Sequence, residues 1–319
     1  MDAQCPSLWS RQGCILAPGD LDSTRLVQTP TAWQLPDGLI RVAVSCRDMS
    51  NVTTMWGMDC DPEEGMRIVR RPEPDATVAR AIEDGGLAGL GPCDAIWDEG
   101  TLMLATSSIV LEGPIYNAAI GLMTSPDAGA TFSQPRSILT SASNDGFPVT
   151  LPCLRRQADG SWRMWFTAFT EWFPDVLPKP DARYCIRSAR SMDGGTWTVD
   201  PHPAIDRISG EAGLARPTVM QQADRLEMWF SARGPYSLEE PTQRRYCLRY
   251  ATSPDGEIWR RHDDGHGFVN PPIPGDWDEE MQCYPCVIRL ADGREVMLYA
   301  GNGYGEAGIG WAVRIQDRG

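Results

Sequence analysis

The sequence lacks any apolar run close to the ~20 residues that span a bilayer. Its first residues also lack the basic region and apolar stretch that mark a secretory signal. These absences lead us to expect a cytoplasmic protein with no membrane partner. No block of Lys and Arg occurs, and the net charge is −14. Because phosphate backbones attract basic patches, we also expect no nucleic-acid partner.

The motifs of several enzyme classes are missing as well. The sequence shows no phosphate-binding glycine loop, no Ser-His-Asp order and no metal cluster. Cys283 and Cys286 form one CxxC pair, but no second pair or nearby His completes a zinc site. We therefore expect no metal and no cofactor. The ten cysteines are expected to be thiols in a reducing compartment.

What the sequence does contain is a repeat. A proline opens the same short phrase 60 to 68 residues apart, at Pro30, Pro92, Pro152, Pro217 and Pro285. Each phrase consists of an apolar run, an Asp-Gly turn or its equivalent, and a second apolar run, which is a strong hairpin signal. Such a unit is too small to bury its own apolar face, so the repeat indicates one closed structure of similar units.

Third and fourth strands complete the unit. A third strand follows at residues such as 119–125, 185–191 and 247–253, and it leads into a Ser-x-Asp turn with an aromatic residue. No helical periodicity of useful length occurs. The sequence therefore predicts an all-β, five-bladed β-propeller with four antiparallel strands per blade, in one domain spanning residues 1–319. The last blade lacks a fourth strand, so we expect residues 9–15 to pair beside residues 308–313 and to close the ring.

The position after the repeat proline takes a small residue. Cys93, Cys153 and Cys286 occupy it where the other copies have Thr31 and Thr218. We expect these three thiols to be buried and to serve packing.

Candidate site residues cluster in two sets of loops. In a propeller, the loops that lead into the first strands and those that join the second and third strands share one face around the axis. Carboxylates, arginines and aromatic rings on one concave face suit a sugar. An acid in such a loop can equally cap a turn or pair with a neighbouring Arg. The acids that precede the proline are Asp22, Asp84, Asp145, Glu211 and Glu280, with Asp276 nearby.

Several phrases resemble those of the five-bladed propeller glycoside hydrolases, which include the arabinanase/β-xylosidase, invertase and mannoside phosphorylase types. The more specific phrases span residues 277–285 and 299–305. The closest pattern is in uncharacterised propeller proteins linked to bacterial polysaccharide genes. The resemblance implies two or three axial carboxylates that act as general acid and as base or nucleophile. In the arabinanase type these acids flank the repeat proline, whereas the residues before it here are not acidic: Thr29, Gly91, Leu151, Arg216 and Tyr284.

Together these observations predict a glycoside hydrolase-like enzyme that cleaves or transfers a glycosidic bond, with Asp84, Glu211 and Glu280 as catalytic acids. The predicted substrate-binding residues are Asp48, Arg216, Arg233, Asp276, Tyr284, Asn302 and Tyr304. The alternative is a non-catalytic propeller that binds a glycan or a nucleotide sugar, with at most one carboxylate at the axis. If Arg216 and Arg233 have no internal partners, the small-molecule or oligosaccharide ligand carries an anionic group; otherwise they pair with Glu211 and Asp48. The oligomeric state stays open.

Overall fold

The computed structural model describes residues 7–176, 180–235, 241–264 and 266–315, except for the side chains of Ser7, Pro241 and His266. Most of these residues form strands. The strands are β1 (Ser7–Leu16), β2 (Thr24–Gln34), β3 (Ile40–Asp48), β4 (Thr53–Asp61), β5 (Arg67–Pro74), β6 (Gly89–Asp98), β7 (Thr101–Glu112), β8 (Ile115–Ser125), β9 (Arg136–Leu139), β10 (Val149–Arg156), β11 (Trp162–Phe173), β12 (Asp181–Ser191), β13 (Thr198–Val199), β14 (Gly213–Gln221), β15 (Leu226–Arg233), β16 (Cys247–Ser253), β17 (Arg260–Arg261), β18 (His266–Phe268), β19 (Cys283–Arg289), β20 (Glu295–Ala300) and β21 (Ile309–Arg314). The helices are α1 (Ala76–Gly85) and α2 (Asn302–Gly305), with short 3-10 turns at Pro18–Asp20, Ser141–Ser143 and Pro241–Arg244.

The strands assemble in chain order into groups of antiparallel neighbours. Group 1 is β2 to β5, group 2 is β6 to β9, group 3 is β10 to β13, and group 4 is β14 to β17. Group 5 contains β19, β20 and β21, with β1 beside β21. The first strand of each group, called here the inner strand, packs against the inner strands of the groups before and after it, and β19 packs against β2. This closed cycle fits a propeller of several blades.

The N-terminal strand lies where the sequence predicted it. β1 pairs antiparallel with β21, from Trp9 opposite Arg314 to Leu16 opposite Ile309. The Arg11 guanidinium binds both oxygens of Asp278, which is fully buried, and Tyr299 donates to the same carboxylate at 2.7 Å. β1 covers the edge of β21, whose N–H and C=O groups would otherwise be unpaired. This strand pairing and the buried ion pair together hold β1 against β21.

Each inner strand contains a bulge at the repeat proline. The residue before the proline has a left-handed backbone in four of these strands, with φ of 46° at Thr29, 52° at Leu151, 55° at Arg216 and 55° at Tyr284. A side chain larger than glycine in this region costs about 1–3 kcal/mol, so the surrounding structure has to stabilise it.

The stabilising contact is a hydrogen bond between neighbouring groups. A hydroxyl on the second strand of one group accepts the N–H of the residue before the proline in the next group. Ser107 accepts from Leu151 at 2.8 Å, Thr167 accepts from Arg216 at 3.1 Å, and Ser231 accepts from Tyr284 at 2.9 Å. The bulge therefore points this N–H toward the preceding group, whereas in a regular strand the N–H would bond within its own sheet.

A second link explains the small residue after the proline. Cys153 Sγ accepts the N–H of Val219 at 3.3 Å, and Thr218 Oγ1 accepts the N–H of Val287 at 3.2 Å, each across a group boundary. Cys93, Cys153 and Cys286 are all buried, as predicted. Burial raises the pKa of the Cys153 thiol to about 12, so it stays protonated. None of the nine described cysteines forms a disulfide.

Helix α1 corrects the expectation that no helix of useful length occurs. Asp75 caps its first turn by accepting from Val78 N at 2.9 Å, and Val78 and Ile82, four residues apart, bury one face. Asp84, assigned from the sequence to a loop, instead lies near the end of this helix with its side chain exposed.

A buried ion cluster joins groups 4 and 5. Arg314 binds Glu227 at 2.5 Å and Glu295 at 2.7 Å, and Tyr250 donates to Glu227 at 2.6 Å. Burial by itself raises the pKa of Glu227, but the hydrogen bonds from Arg314 and Tyr250 and the charge of Arg314 hold that pKa at about 2.

The hydroxyl link between groups can be tested at Thr167, which is buried. Thr167→Val keeps the shape and removes the acceptor of the Arg216 N–H, so we expect the free energy of unfolding to fall by about 1–3 kcal/mol. Urea denaturation measures this value. Thr198→Val is the control, because Thr198 is an exposed strand residue of β13. Equal stabilities of the two variants would contradict the link.

The ion cluster predicts an acid-sensitive interface. The pKa of Glu227 is lower in the folded chain than its ordinary 4.5, so its contribution to stability is complete above pH 4.5 and is lost as the pH falls toward 2. We expect Glu227→Gln to destabilise the protein by roughly 3 kcal/mol at pH 7, because it leaves Arg314 buried with one partner fewer. The difference from the unmodified protein should shrink at pH 3. Glu64→Gln, which breaks an exposed pair with Arg67, serves as the control. A pH-independent difference would refute the assignment.

Candidate functional site

A cavity of about 130 Å³, the axial cavity, lies between the inner strands and opens to solvent. The residues before the repeat proline reach it from four of the groups. The lining also contains hydroxyl side chains, one arginine and a second tyrosine. The principal lining residues are Thr29, Gly91, Leu151, Tyr284, Ser45, Thr53, Ser107, Thr150, Arg47 and Tyr116.

No carboxylate is among the described residues that line the axial cavity. The residues before the repeat proline in this lining are Thr29, Gly91, Leu151 and Tyr284, and none of them is acidic. Asp94, two residues after Pro92, is buried and accepts from Arg155 Nη1 at 2.8 Å and from Leu154 N at 2.7 Å. Its carboxylate thus joins groups 2 and 3 and is not presented to a ligand.

Arg47 lines the axial cavity but was not among the site residues predicted from the sequence. It lies near the end of β3, half-buried, and Nε donates to Thr53 Oγ1 at 3.0 Å. It forms no ion pair with any residue that the structure describes. Burial lowers the pKa of its guanidinium, and the positive charge of Arg25 acts in the same direction. The sequence signal for this residue was the adjacent pair Arg47-Asp48, but only Asp48 was predicted as a binding residue.

Arg216 lies behind the cavity wall and crosses from group 4 to group 1. Only 1% of it is exposed, and Nη2 donates to Pro30 O at 2.7 Å and to Thr31 Oγ1 at 3.0 Å. Nε and Nη1 have no hydrogen-bond partner in the described chain. Its charge acts on the thiol of Cys93, which itself lines the cavity. Arg216 is therefore a buried cation without a carboxylate partner among the described residues.

Two aromatic residues, Tyr116 and Tyr284, line the cavity, and each packs against further rings. Tyr116 contacts Phe169 and Trp172 edge-on, with ring centroids 5.6 Å and 5.2 Å apart. Tyr246 packs between Tyr284, at 5.4 Å, and Tyr304, at 5.8 Å. The predicted binding residues Tyr284 and Tyr304 are thus brought together through Tyr246. Tyr284 borders the axial cavity, whereas Tyr304 borders a separate groove.

This groove has a volume of about 500 Å³ and lies between residues 242–245 and residues 302–307. It brings together three predicted site residues, Glu280, Asn302 and Tyr304. Glu280 binds Arg245 at 2.8 Å and is half-exposed, and Glu306 lines the same groove. Asn302 is occupied structurally, because Oδ1 accepts from the backbone N–H groups of residues 280 and 281.

The other predicted residues have internal partners. Glu211 forms a two-point ion pair with Arg261 on β17, at 2.7 Å and 2.8 Å. Arg233 binds Asp181 at 2.7 Å, with both side chains buried. Asp276 binds Arg11 of the N-terminal strand at 2.9 Å.

Asp48 caps its own turn by accepting from Ser50 N and Val52 N. Neither Glu211 nor Asp84 lines the axial cavity or the groove within the described part of the chain. Among those same residues, no group of three or more His, Cys, Asp or Glu side chains could hold a metal ion. No helix of the described chain is long and apolar enough to cross a membrane.

Comparisons with solved structures identify the architecture. A glycoside hydrolase matches with a TM-score of 0.68 at 15% identity, over 97% of this chain and 92% of the other. The α-L-arabinofuranosidase PaAbf62A of Podospora anserina, solved with cellotriose, matches at 0.66 and 12%, over 98% of each chain. The GH43 endo-arabinanase of Bacillus licheniformis matches at 0.60 and 13%, also over 98% of each. At these identities the likeness shows the fold, that of the propeller glycoside hydrolases, and nothing of the activity.

Sequence comparison gives a nearer relationship. No protein-family model matches the chain. Two uncharacterized proteins of Mycobacterium tuberculosis, MT1551 of strain CDC 1551 and Rv1502 of strain H37Rv, are each 31% identical over 312 residues, which is 96% of this chain and 98% of theirs. The chain therefore belongs to the same family as these uncharacterized mycobacterial proteins.

Proposed function

We propose that this protein is a single-domain, five-bladed propeller that binds the end of a carbohydrate chain in its axial cavity. Each strand group would be one blade, with β1 completing the last. The cavity is small, at about 130 Å³, which suits a terminal sugar residue better than an internal stretch of glycan. The neighbours of known structure are glycoside hydrolases, and one of them was solved with cellotriose. Their fold and ligands favour a sugar in this protein too.

The cavity lining supports a carbohydrate ligand. This lining contains the rings of Tyr116 and Tyr284 and the hydroxyl groups of Ser45, Thr53 and Thr150. Rings pack against the apolar face of a sugar while hydroxyl groups bond its edges. A concave site with few, convergent polar groups is the usual form of a small-molecule site.

The observation that carries the proposal is the missing carboxylate pair. Hydrolysis by the usual mechanism needs two carboxyl groups about 5–10 Å apart across the scissile bond. The described lining of the axial cavity provides none, and the residues before its repeat prolines are Thr29, Gly91, Leu151 and Tyr284. We therefore favour binding over cleavage in this cavity.

The test compares two tyrosines that contact the same Tyr246 ring from different sites. Tyr284→Ala should weaken binding of a glycan by about 10-fold or more, because a stacked ring contributes about 0.5–1.5 kcal/mol beyond its buried area. Tyr304→Ala, which opens the groove instead, should change the affinity less than about 2-fold. Calorimetric titration with cellotriose and α-1,5-arabinotriose measures the affinities.

Tyr284→Phe is the matched control, since it keeps the ring and should keep the affinity. Each variant's melting temperature shows whether it is folded. If Tyr304→Ala removes binding while Tyr284→Ala does not, the ligand lies in the groove and the axial proposal fails.

A second candidate function is glycoside cleavage in the groove. The observation that favours it is the presence of two carboxylates, Glu280 and Glu306, along one 500 Å³ groove. Arg245 binds Glu280 at 2.8 Å and would orient that carboxylate toward a ligand in the groove. Asp84 and Glu211 have no part in this candidate.

Glu280→Gln decides between the two functions. If the groove hydrolyses glycosidic bonds, turnover should fall by about 100-fold or more with little change in melting temperature. Chromatography of products released from oligosaccharides measures turnover. The binding proposal instead expects no product release from the unmodified protein and an unchanged affinity in Glu280→Gln. Product release that is lost in this variant would replace the first proposal with the second.

A further inference from the structure

We infer that the axial cavity receives an anionic group of its ligand, a carboxylate or a phosphate, and that Arg47 is the residue that binds it. The inference rests on the proposed function for the location of the ligand and for its carbohydrate character. It differs from the sequence-based expectation, in which Arg216 and Arg233 were to bind the anion. Arg233 is instead neutralised by Asp181.

Arg47 has the geometry of a binding residue. One of its five N–H groups, at Nε, is occupied by Thr53 Oγ1 at 3.0 Å, and the residue lines the cavity. No described carboxylate pairs with it. Because a guanidinium presents two N–H groups side by side, its terminal nitrogens match the two oxygens of a carboxylate or phosphate.

The buried charge of Arg216 strengthens this arrangement. Burying a cation without an anionic partner is costly, and two of its nitrogens have no hydrogen-bond partner in the described chain. Cys93 and Thr31 surround it, and both are uncharged at neutral pH, because burial raises the pKa of the Cys93 thiol. The charge of Arg216 acts on the Cys93 thiol, which lines the cavity, although the carboxylate of Asp94 acts on the same thiol with the opposite sign. An anion in the cavity would therefore be attracted by Arg216 through a medium of low polarity.

The hydroxyl groups beside Arg47 are arranged as donors. Thr53 Oγ1 accepts from Arg47, and Ser45 Oγ accepts from Thr29 Oγ1 at 2.6 Å. Each hydroxyl therefore retains a hydrogen that can be donated to a ligand oxygen. Donors around a guanidinium, with no carboxylate in the described lining, give a site for negative charge in a chain whose net charge is −14.

The experiment titrates the full-length protein with matched neutral and acidic probes. Calorimetry with D-glucose, D-glucuronate, D-glucose 1-phosphate and inorganic phosphate gives each Kd at low and high NaCl. We expect at least one acidic sugar to bind about 10-fold or more tightly than glucose, and this preference to shrink with added salt because charges are screened. Comparison of glucuronate with glucose 1-phosphate identifies which acid group is preferred.

Arg47→Gln should remove the preference for the acidic probe. It should also leave the melting temperature of the unliganded protein unchanged or raise it, because it removes a partly buried charge that has no described ionic partner. An arginine with a structural role would instead lower the melting temperature when replaced. Arg67→Gln, on the exposed outer strand β5, changes the net charge equally and should keep the preference.

The outcomes separate this inference from the proposed function. Equal binding of glucose and the acidic sugars overturns the anion site and leaves the carbohydrate proposal standing. A preference that survives in Arg47→Gln overturns the role of Arg47. Binding of phosphate that needs Arg47, with no binding of any sugar, supports the anion site and overturns the carbohydrate proposal. If no probe binds, both are overturned.

Discussion

The structure depends on one hydrogen bond that recurs between strand groups. A main-chain N–H just before the repeat proline donates to a hydroxyl on the second strand of the preceding group, as in the pairs Leu151 with Ser107 and Tyr284 with Ser231. Antiparallel pairing stabilises each group internally, but it leaves the spacing between groups undetermined. This bond fixes that spacing, because it forms only when an inner strand carries the bulge and lies against its neighbour. The proline supports it by removing the next N–H and by holding its own φ.

The same backbone conformation shapes the candidate site. A residue with positive φ directs its side chain differently from its strand neighbours, and three such residues before the proline, Thr29, Leu151 and Tyr284, line the axial cavity. Their side chains are not needed for the bond, which uses only the N–H. The position is thus free to carry Thr, Leu or Tyr in this chain. At this position the backbone supports the fold and the side chain sets the chemistry, so the fold alone cannot reveal the activity.

The fold was largely predictable because its signals are local and repeated. Each signal reflects a local structural requirement that the structure satisfies. These signals are the proline spacing, the Asp-Gly turns and the buried positions of Cys93, Cys153 and Cys286. The pairing of β1 with β21 followed from counting strands. Helix α1 was missed although Asp75, Val78 and Ile82 gave a cap and one buried face. A single ten-residue helix is easily hidden in a sequence dominated by strands.

The candidate site was less predictable because charged side chains pair with residues that are close in space but distant in sequence. Glu211, Arg233 and Asp276 are occupied by Arg261, Asp181 and Arg11, which are 50, 52 and 265 residues away in the chain. Sequence position alone could not show these pairings. Arg47 shows the reverse case. Its neighbour Asp48 accepts hydrogen bonds from the backbone of its own turn. The Arg47 guanidinium therefore has no ionic partner among the described residues.

The pairing of β1 with β21 also sets the order of events during synthesis. β1 is synthesised before the other described strands, whereas its partner at residues 309–314 is synthesised after them. Until then Trp9, whose side chain is almost fully buried in the finished protein, lacks its strand partner Arg314. Contacts so distant in sequence form slowly, and an unpaired strand can associate with other chains. Synthesis of residues 309–314 is therefore the step that allows β1 to pair with β21.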